Sequence, residues 1–295
     1  MAAYDEDLLR FLPKVLRARD FHLYLESGKR ITDLWRMGGR MVLGHKPPRV
    51  LLELKNAAER GLFVPLPHPT ERRFVKALEG FFTRRVFRLY MNENSMRQAL
   101  EAAGLYGPFQ DPAFPARDSL PNSTGKPGIS LWRPFLDFSQ QAAAQQAAAL
   151  QDAAHCNAAV LIPVLPWPLG PAVLALEEGM DTSPIPAGEL IPPVLLAPAA
   201  RALYNLAAAM KTFSPNRPMY KKIEKALAKG PWRRRGIYLT VKPGMEGEAY
   251  KALFEKFLEG GFLIPPSPQQ PVILPLSMTA GEESKLAGLL GSWIE

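Results

Sequence analysis

The chain of 295 residues is poor in the residues that form disulfides and metal sites. Its single cysteine, Cys156, excludes an internal disulfide and cysteine-based zinc sites, and is typical of a protein in a reducing compartment. No HxH or HxxxH pair occurs among the four histidines, His22, His45, His68 and His155. A metal site is therefore not expected.

The sequence also lacks a secretory signal and a plausible membrane span. Acidic residues begin the chain, where a signal peptide would need basic residues followed by an apolar run. The longest uncharged stretch, 158–176, contains four prolines, which would remove amide donors from a helix that lipid cannot satisfy. We therefore expect a cytoplasmic protein that does not insert into a membrane.

The net charge is +8 and the isoelectric point is near 9.6. No nucleic-acid-binding motif accompanies the basic residues, so a solvated surface is favoured and nucleic acid is not expected as a partner. The densest basic run, residues 231–236 (PWRRRG), is predicted to be an exposed turn before a strand. The alternative is that its arginines grip a carboxylate or a phosphate, since guanidinium groups bind oxyanions with two hydrogen bonds.

Hydrophobic periodicity predicts helices alternating with strands, and so an α/β or α+β fold. The predicted helices are 4–16, 48–60, 69–82, 92–103, 139–154, 197–211, 219–229, 247–260 and 279–294. The predicted strands are 21–25, 30–35, 86–90, 158–165, 236–241, 262–264 and 272–274. Residues 105–135 are expected to form a long loop, and nine prolines between 157 and 200 are expected to break regular structure there.

Both ends of the chain resemble a known family. The N-terminal segments RARDFHLY (17–24), GKRITDLW (28–35), GG (38–39) and LGH (43–45) resemble the entry signature of class III aminotransferases, with glutamate-1-semialdehyde aminomutases as the nearest kind. Residues 250–267 and the opening of the helix at 279 are similar to the small domain of that family. About half of the chain carries the resemblance.

The resemblance implies a reduced fold-type I PLP-transferase. A small α+β domain would be built from both chain ends, 1–80 and 231–295, beside a shortened central α/β domain at 81–230. It also implies a homodimer. The loop around the glycine pair borders the substrate pocket in this family, so the pocket candidates are Trp35, Arg36, Gly38, Gly39 and Arg40. Arg36 or Arg40 could meet a carboxylate, whereas Trp35 could simply be a core residue.

The cofactor-binding features of the family are altered. In place of its Ser-Gly-Ser/Thr-Glu-Ala phosphate turn the chain has Asn92, Glu93, Asn94 and Ser95, so that a carboxylate stands where a phosphate dianion would bind. A transaminase also needs a lysine amine and an acid beside the pyridine nitrogen. The strand at 158–164 is similar to the family strand that ends in Glu-Pro-Val, but it ends in Ile-Pro-Val, and no Asp-Glu pair follows an apolar strand.

The lysines between residues 104 and 231 are not predicted to form a Schiff base either. They are Lys126, Lys211, Lys221, Lys222, Lys225 and Lys229, and none follows a buried strand; Lys211 is predicted to be solvated. We therefore assign no catalytic residue and expect no cofactor, with PLP as the alternative.

Three hypotheses of function follow. The first is a non-catalytic aminotransferase-like protein that binds a small carboxylate or a protein partner, or acts as a scaffold. The second is an active PLP-dependent aminotransferase or aminomutase with a rebuilt site, for which Lys126 or Lys211 would be the Schiff-base lysine. The third is a basic module that binds polyanions.

Overall fold

The computed structural model describes residues 5–105, 109–114, 128–136, 158–213, 220–228, 230–241 and 245–292. These residues form two compact units. The terminal unit contains residues 5–46, 135–136 and the described residues from 213 to 292. The central unit contains residues 47–134 and 158–212, so far as they are described.

The terminal unit consists of short helices and two small sheets. Its elements are α1 (Glu6–Arg10), β1 (Val15–Arg19), β2 (His22–Leu25), β3 (Arg30–Asp33), a turn at Arg36–Gly39, α6 (Lys221–Leu227), β8 (Trp232–Arg235), β9 (Tyr238–Val241), α7 (Glu248–Glu259), β10 (Phe262–Leu263), β11 (Val272–Ile273) and α8 (Ala280–Gly291). One sheet has the order β1-β2-β3-β10, in which β10 runs parallel to β3, and the other is the antiparallel sheet β11-β9-β8.

The central unit contains one sheet and four helices within its described residues. The elements are α2 (Val50–Glu59), α3 (Pro69–Glu79), β4 (Arg85–Tyr90), α4 (Glu93–Ala102), β5 (Ile129–Trp132), β6 (Val160–Pro163), β7 (Ala172–Glu177) and α5 (Pro193–Thr212). The sheet has the order β4-β7-β6-β5. Residues of β6 and β7 are buried on both faces, as expected of a central strand between layers of helix.

Most predicted helices and strands are confirmed where the structure describes them. The last helix begins with a capping box: Thr279 Oγ1 accepts a hydrogen bond from Glu282 N, and the Glu282 carboxylate accepts one from Thr279 N. The strands predicted at 21–25 and 30–35 are present as the antiparallel pair β2 and β3. The predicted helix at 139–154 lies outside the described residues.

The predicted helix at 4–16 was wrong in its second half. The helix ends at Arg10, Pro13 follows, and residues from Val15 onward form β1, which pairs with β2. Proline cannot supply the amide that a continuing helix needs, and the backbone groups after it find partners in the neighbouring hairpin.

Two strands lie where loops were predicted. β5 falls within the predicted loop at 105–135, and β7 lies in the stretch expected to be broken by prolines. The helix predicted to begin at 197 begins at Pro193 and contains Pro198. Six of the nine prolines lie between the elements, Pro163 is the last residue of β6, and Pro193 is the first residue of α5, where an amide donor is not required. Pro198 is the sixth residue of α5 and therefore removes one hydrogen bond from that helix.

The basic run at 231–236 was also predicted wrongly as a turn. Residues Trp232–Arg235 form β8, which pairs with β9 in antiparallel register. The turn that joins them contains Gly236 at φ 57, and a Cβ there would collide with the carbonyl oxygens of Phe135 and Leu136. Only glycine tolerates both conditions at once.

The compact units differ from the predicted domain limits. Residues 47–80 fold with the central residues, because α2 and α3 pack against α5. The division at residues 80 and 231 rests on family resemblance rather than on contacts, and it stays a prediction.

Candidate functional site

The central sheet gathers the ends of three strands at one edge. β4 and β6 both run antiparallel to β7, and β5 runs parallel to β6, so β4, β5 and β6 point in the same direction. In open α/β sheets, ligands bind outside the carboxyl ends of parallel strands. The residues that follow these three strands, which we call the carboxyl edge, are therefore the candidate ligand-binding site.

After β4 the chain enters α4 through Asn92, which caps the helix. Asn92 Oδ1 accepts hydrogen bonds from the amides of Asn94 at 2.9 Å and Ser95 at 3.0 Å. Free amides at a helix N-terminus are what bind a phosphate group, and here a side chain of the protein already occupies two of them. Asn92, Asn94 and Ser95, predicted as a degenerate phosphate turn, thus form a self-capped turn.

Two carboxylates add to this effect. Glu93 is the first residue of α4, and Glu189 Oε2 accepts a hydrogen bond of 2.6 Å from the amide of Met91. Both would repel a phosphate dianion at short range. The turn after β4 therefore offers neither the hydrogen bonds nor the positive charge that a cofactor phosphate requires.

After β5 comes a buried ion pair. Arg133 donates from Nε to Asp111 Oδ1 at 2.7 Å and from Nη2 to Asp111 Oδ2 at 2.6 Å, and its side chain is only 3% exposed. Asp111 follows Gln110, which bridges Ser130 of β5 in parallel, and it also accepts a hydrogen bond from Ala113 N. The two charges at this strand end thus neutralise each other. A pair of hydrogen bonds from one guanidinium to both oxygens of a carboxylate is among the strongest interactions that an arginine forms.

The end of β5 is also fixed by aromatic packing. The Trp132 ring lies 4.9 Å from Phe82 and 5.5 Å from Phe81, centroid to centroid, and both phenylalanines directly follow α3. Tilted and edge-on pairs at these separations stabilise a core beyond the area that they bury. Arg133 therefore projects from a rigid strand rather than from a mobile loop.

After β6 the chain forms a proline-rich connection to β7. Val164 N continues the pairing by donating to Trp132 O at 3.0 Å, and Gly170 N closes a turn onto Trp167 O. Trp167 is 5% exposed, and its indole nitrogen has no acceptor among the described residues. Residues 163–171 contain no lysine.

No described lysine anywhere is buried. Ten are exposed, including Lys211 near the end of α5, and Lys251 and Lys256 are partly buried. Lys126 lies outside the described residues. A Schiff-base lysine must be held close to its cofactor and desolvated, so the described residues do not fit PLP at the lysine or at the phosphate turn.

The predicted pocket residues lie in the terminal unit around a left-handed turn. Asp33 Oδ1 accepts hydrogen bonds from the amides of Trp35 and Arg36, each at 2.9 Å. Four consecutive residues, from Arg36 to Gly39, then adopt positive φ. For Arg36 and Met37, which are not glycine, this conformation costs about 1–2 kcal/mol each.

Arg36 is the largest of the fully buried side chains, at 1% exposure. Its Nε donates to Asp33 O at 3.1 Å, Nη1 donates weakly to Val42 O at 3.4 Å, and the guanidinium lies 4.3 Å from the Phe21 ring centroid. Burial lowers the pKa of Arg36 to about 10, although Asp33 opposes the shift. Its Nη2 has no partner among the described residues.

The other pocket candidates lie around this arginine. Trp35 Nε1 donates to Gln270 Oε1 at 2.7 Å, Gly38 and Gly39 are buried, and Arg40 is partly buried. His45 Nε2 lies 3.0 Å from Asp33 Oδ2, so the histidine of the LGH segment is placed against the same carboxylate. The turn therefore holds one buried cation and one buried carboxylate in close proximity.

Three residues of the carboxyl edge were missed in the sequence. Asp111, Arg133 and Trp167 are absent from the predicted site, because the composition of 105–135 predicts a loop and the prolines of 157–200 predict irregular structure. The sequence does contain one signal here. Asp111 and Pro112 form an acid-proline step like the Glu-Pro of the family strand, which Ile162-Pro163-Val164 lacks. The pairing of Asp111 with Arg133 has no local signature, since 22 residues separate them.

Among the helices of the described residues, none has the length and the apolar composition that crossing a membrane requires. Within the same residues, no group of three His, Cys, Asp or Glu side chains is placed to hold a metal ion.

Comparison with solved structures defines the class of fold. A transaminase with PLP bound superposes with a TM-score of 0.66 over 95% of this chain and 89% of its own, at 16% identity. The ornithine delta-aminotransferase of Plasmodium falciparum superposes with a TM-score of 0.65 over 94% of this chain and 91% of its own, at 12% identity. The chain therefore has the fold of the aminotransferases, as the resemblance at its two ends implied.

One protein is similar to this chain in sequence over most of its length. An uncharacterized protein of Treponema pallidum (strain Nichols) is 28% identical over 291 residues, which cover 93% of each chain. No family model matches the chain.

Proposed function

We propose that this protein is a non-catalytic member of the aminotransferase fold with a binding or scaffolding role. The observation that carries the proposal is that no lysine within the described residues is buried, so none is placed to form a Schiff base. The self-capped turn at Asn92 and the Arg133–Asp111 pair support it, because the polar groups at these two places on the carboxyl edge are already hydrogen-bonded to other residues of the protein.

The test is direct. The purified protein is mixed with pyridoxal phosphate, its visible spectrum is recorded, the mixture is reduced with borohydride, and modified lysines are mapped by mass spectrometry. We expect only partial labelling spread over exposed lysines. Lys211→Arg, with Lys76→Arg as its matched exposed control, should each remove no more than one minor site.

A single lysine modified at one equivalent per chain would contradict the proposal and would support an active PLP enzyme with a rebuilt site. Lys126→Arg then decides which lysine carries the adduct. Loss of the adduct in that variant would name Lys126 as the Schiff-base residue.

A second copy of the chain is the proposed partner. Twelve large hydrophobic side chains are exposed within the described residues, and five of them lie between residues 51 and 66: Leu51, Leu52, Phe63, Val64 and Leu66. Exposed apolar side chains concentrated in one stretch of α2 and the loop after it are typical of a surface that another protein covers. Sedimentation should give twice the chain mass of 32.7 kDa.

The matched variants for this test exchange the same type of residue on two surfaces. Leu52→Gln with Leu66→Gln should give monomers, whereas Leu16→Gln with Leu169→Gln, which are at least as exposed but lie elsewhere, should leave the dimer intact. A monomeric wild-type protein would refute the homodimer without affecting the proposal of a non-catalytic role.

A small carboxylate is the proposed ligand of the turn at Arg36–Gly39. Arg36 Nη2 lacks an acceptor among the described residues, and a carboxylate oxygen would satisfy it. At 1% exposure the guanidinium can be reached only if neighbouring side chains move, so such binding should be slow and should raise the melting temperature. Arg36→Met should abolish the rise produced by a panel of dicarboxylates and amino acids.

A further inference from the structure

The basic charge of this protein is concentrated in one short segment. Residues 220–236 contain seven lysines and arginines and one acidic residue, Glu224, in a chain whose net charge is +8. Six of the seven cations belong to α6 and β8 of the terminal unit, three to each element, and Lys229 lies outside the described residues. A large part of the net charge therefore originates from two neighbouring elements.

Arg234 joins these elements into one surface. Its guanidinium forms an ion pair with Glu224 of α6, donates to Gly236 O at 2.7 Å and lies 5.8 Å from the Tyr220 ring centroid. Ile223 and Leu227 turn inward from the same helix and are buried. The cations of the helix and those of the strand are thereby held in a fixed arrangement, which we call the α6–β8 face.

The remaining cations of this face are available to solvent. Lys221, Lys222 and Lys225 are exposed on α6, and Arg233 is exposed on β8. Glu224 is the one carboxylate of these two elements, and Arg234 neutralises it. A second carboxylate, that of Glu283 on α8, also lies at this face and accepts a hydrogen bond of 2.8 Å from Lys222 N. Lysine and arginine side chains in this state can exchange their counterions for the phosphates of a polyanion.

The face lacks what a protein partner would need. Between residues 220 and 292, as far as they are described, no large hydrophobic side chain is exposed. Protein interfaces are centred on apolar and aromatic side chains and are depleted in lysine, whereas binding to a phosphate backbone requires only cations. We infer that the α6–β8 face binds the phosphate backbone of nucleic acid without sequence preference, independently of the proposed function.

Protection of a sheet edge does not by itself account for these charges. β8 is the last strand of its described sheet, and cations on an edge strand discourage pairing with other chains. The three exposed lysines lie on a helix, however, where no strand edge needs protection. Helix and strand contribute to one field, which is what attracts an extended polyanion.

The experiment uses the full chain and a short fluorescent DNA duplex of mixed sequence, with binding followed by anisotropy from about 50 mM to about 200 mM salt. The test variant is Lys221→Gln/Lys225→Gln/Arg233→Gln, which spares Arg234 and so the packing of α6 on β8. The control is Arg60→Gln/Arg72→Gln/Lys76→Gln, three exposed cations of the central unit. Both variants lose the same charge, and their melting curves report on folding.

We expect the wild-type protein and the control to bind alike, with affinity falling steeply with salt. The test variant should bind at least about tenfold more weakly, with a salt slope smaller by about 2–3, since each lost phosphate contact removes about 0.9. Equal weakening of both variants, or no binding at the lowest salt, would overturn the inference. Displacement of the DNA by polyglutamate at equal charge concentration would also overturn it, in favour of an acidic protein partner.

Discussion

Each unit of the protein contains one deeply buried arginine beside an aspartate, and the two are held in different ways. Arg133, in the central unit, makes two short hydrogen bonds to both oxygens of Asp111. Arg36, in the terminal unit, donates within the described residues to the backbone oxygens of Asp33 and Val42 and lies over the face of Phe21. The Asp33 carboxylate is engaged instead by two amides and by His45.

The two arginines therefore differ in how completely their hydrogen-bond donors are satisfied by the described residues. Arg133 and Asp111 satisfy each other, so the end of β5 offers neither a free cation nor a free acid to a cofactor. Arg36 keeps one nitrogen without a described partner, and burial lowers its pKa to about 10. A buried charge that is not fully hydrogen-bonded is costly to keep, and such sites can serve to bind a ligand.

The largest effect is expected for Arg133→Met. It would leave the Asp111 carboxylate, which is 16% exposed, without its cation, and removing one member of a buried pair costs about 3–5 kcal/mol. The free energy of unfolding in urea should fall by that amount. Hydrogen exchange of the amides of β5 and β6 should accelerate with it.

The control for this prediction is a matched but more exposed pair. Arg73 on α3 donates to both oxygens of Glu53 at 2.9 and 3.0 Å, and its side chain is 40% exposed. Arg73→Met should cost only about 1 kcal/mol, because water screens the unpaired Glu53. Equal losses in the two variants would show that the Arg133 pair is not buried in solution.

A smaller effect is expected for Arg36→Met. Methionine keeps most of the apolar contact with Phe21 and removes a cation that was incompletely paired, and Asp33 retains its two amides. The cost should be about 1–2 kcal/mol, below that of Arg133→Met. Urea unfolding of both variants tests the order, and a loss larger for Arg36 than for Arg133 would reverse the comparison.

The smallest effect is expected for Glu282→Gln on α8. Burial alone would raise the pKa of Glu282, but hydrogen bonds from Thr279 and His22 lower it below its ordinary value of 4.5. A lowered pKa in the folded state stabilises the protein above pH about 4.5, and this stabilisation is lost as the pH falls through the lowered pKa. The wild-type protein should exceed the variant by about 1 kcal/mol near pH 7.

The same comparison made at lower pH tests the cause. The two proteins should converge as the pH falls through the lowered pKa of Glu282, because the carboxylate of the wild type is then protonated. The substitution His22→Gln provides a second check, since it removes one of the hydrogen bonds to the carboxylate while leaving the capping box in place. A difference that persists unchanged at low pH would exclude titration of Glu282 as its source.

Local rules predicted those parts of the fold that local interactions stabilise. The helix α3 begins at Pro69 after His68, whose side chain accepts the Thr70 amide, and α8 begins at a capping box within four residues of sequence. By contrast, β5 has only four residues, and its strand-favouring Ile129 and Trp132 are too short a signal in a stretch rich in proline and glycine. Its pairing with β6, 31 positions along the chain, gives it that structure.

The candidate sites divide in the same way. The altered phosphate turn at Asn92–Ser95 was recognised from the sequence, because helix capping and phosphate binding both depend on adjacent residues. The Arg133–Asp111 pair and the burial of Arg36 were not, because each depends on which distant residues the fold brings into contact.

The sequence by itself determined the aminotransferase fold and the caps of its helices, and it predicted the lack of a family-like lysine and acid, which stays a prediction. Only the tertiary structure decided that Asp111 neutralises Arg133, that Arg36 is enclosed, and that α6 and β8 share one basic face. The physical reason is range: propensities and caps act within a few residues, whereas burial and charge pairing depend on contacts that the chain makes only once it is folded.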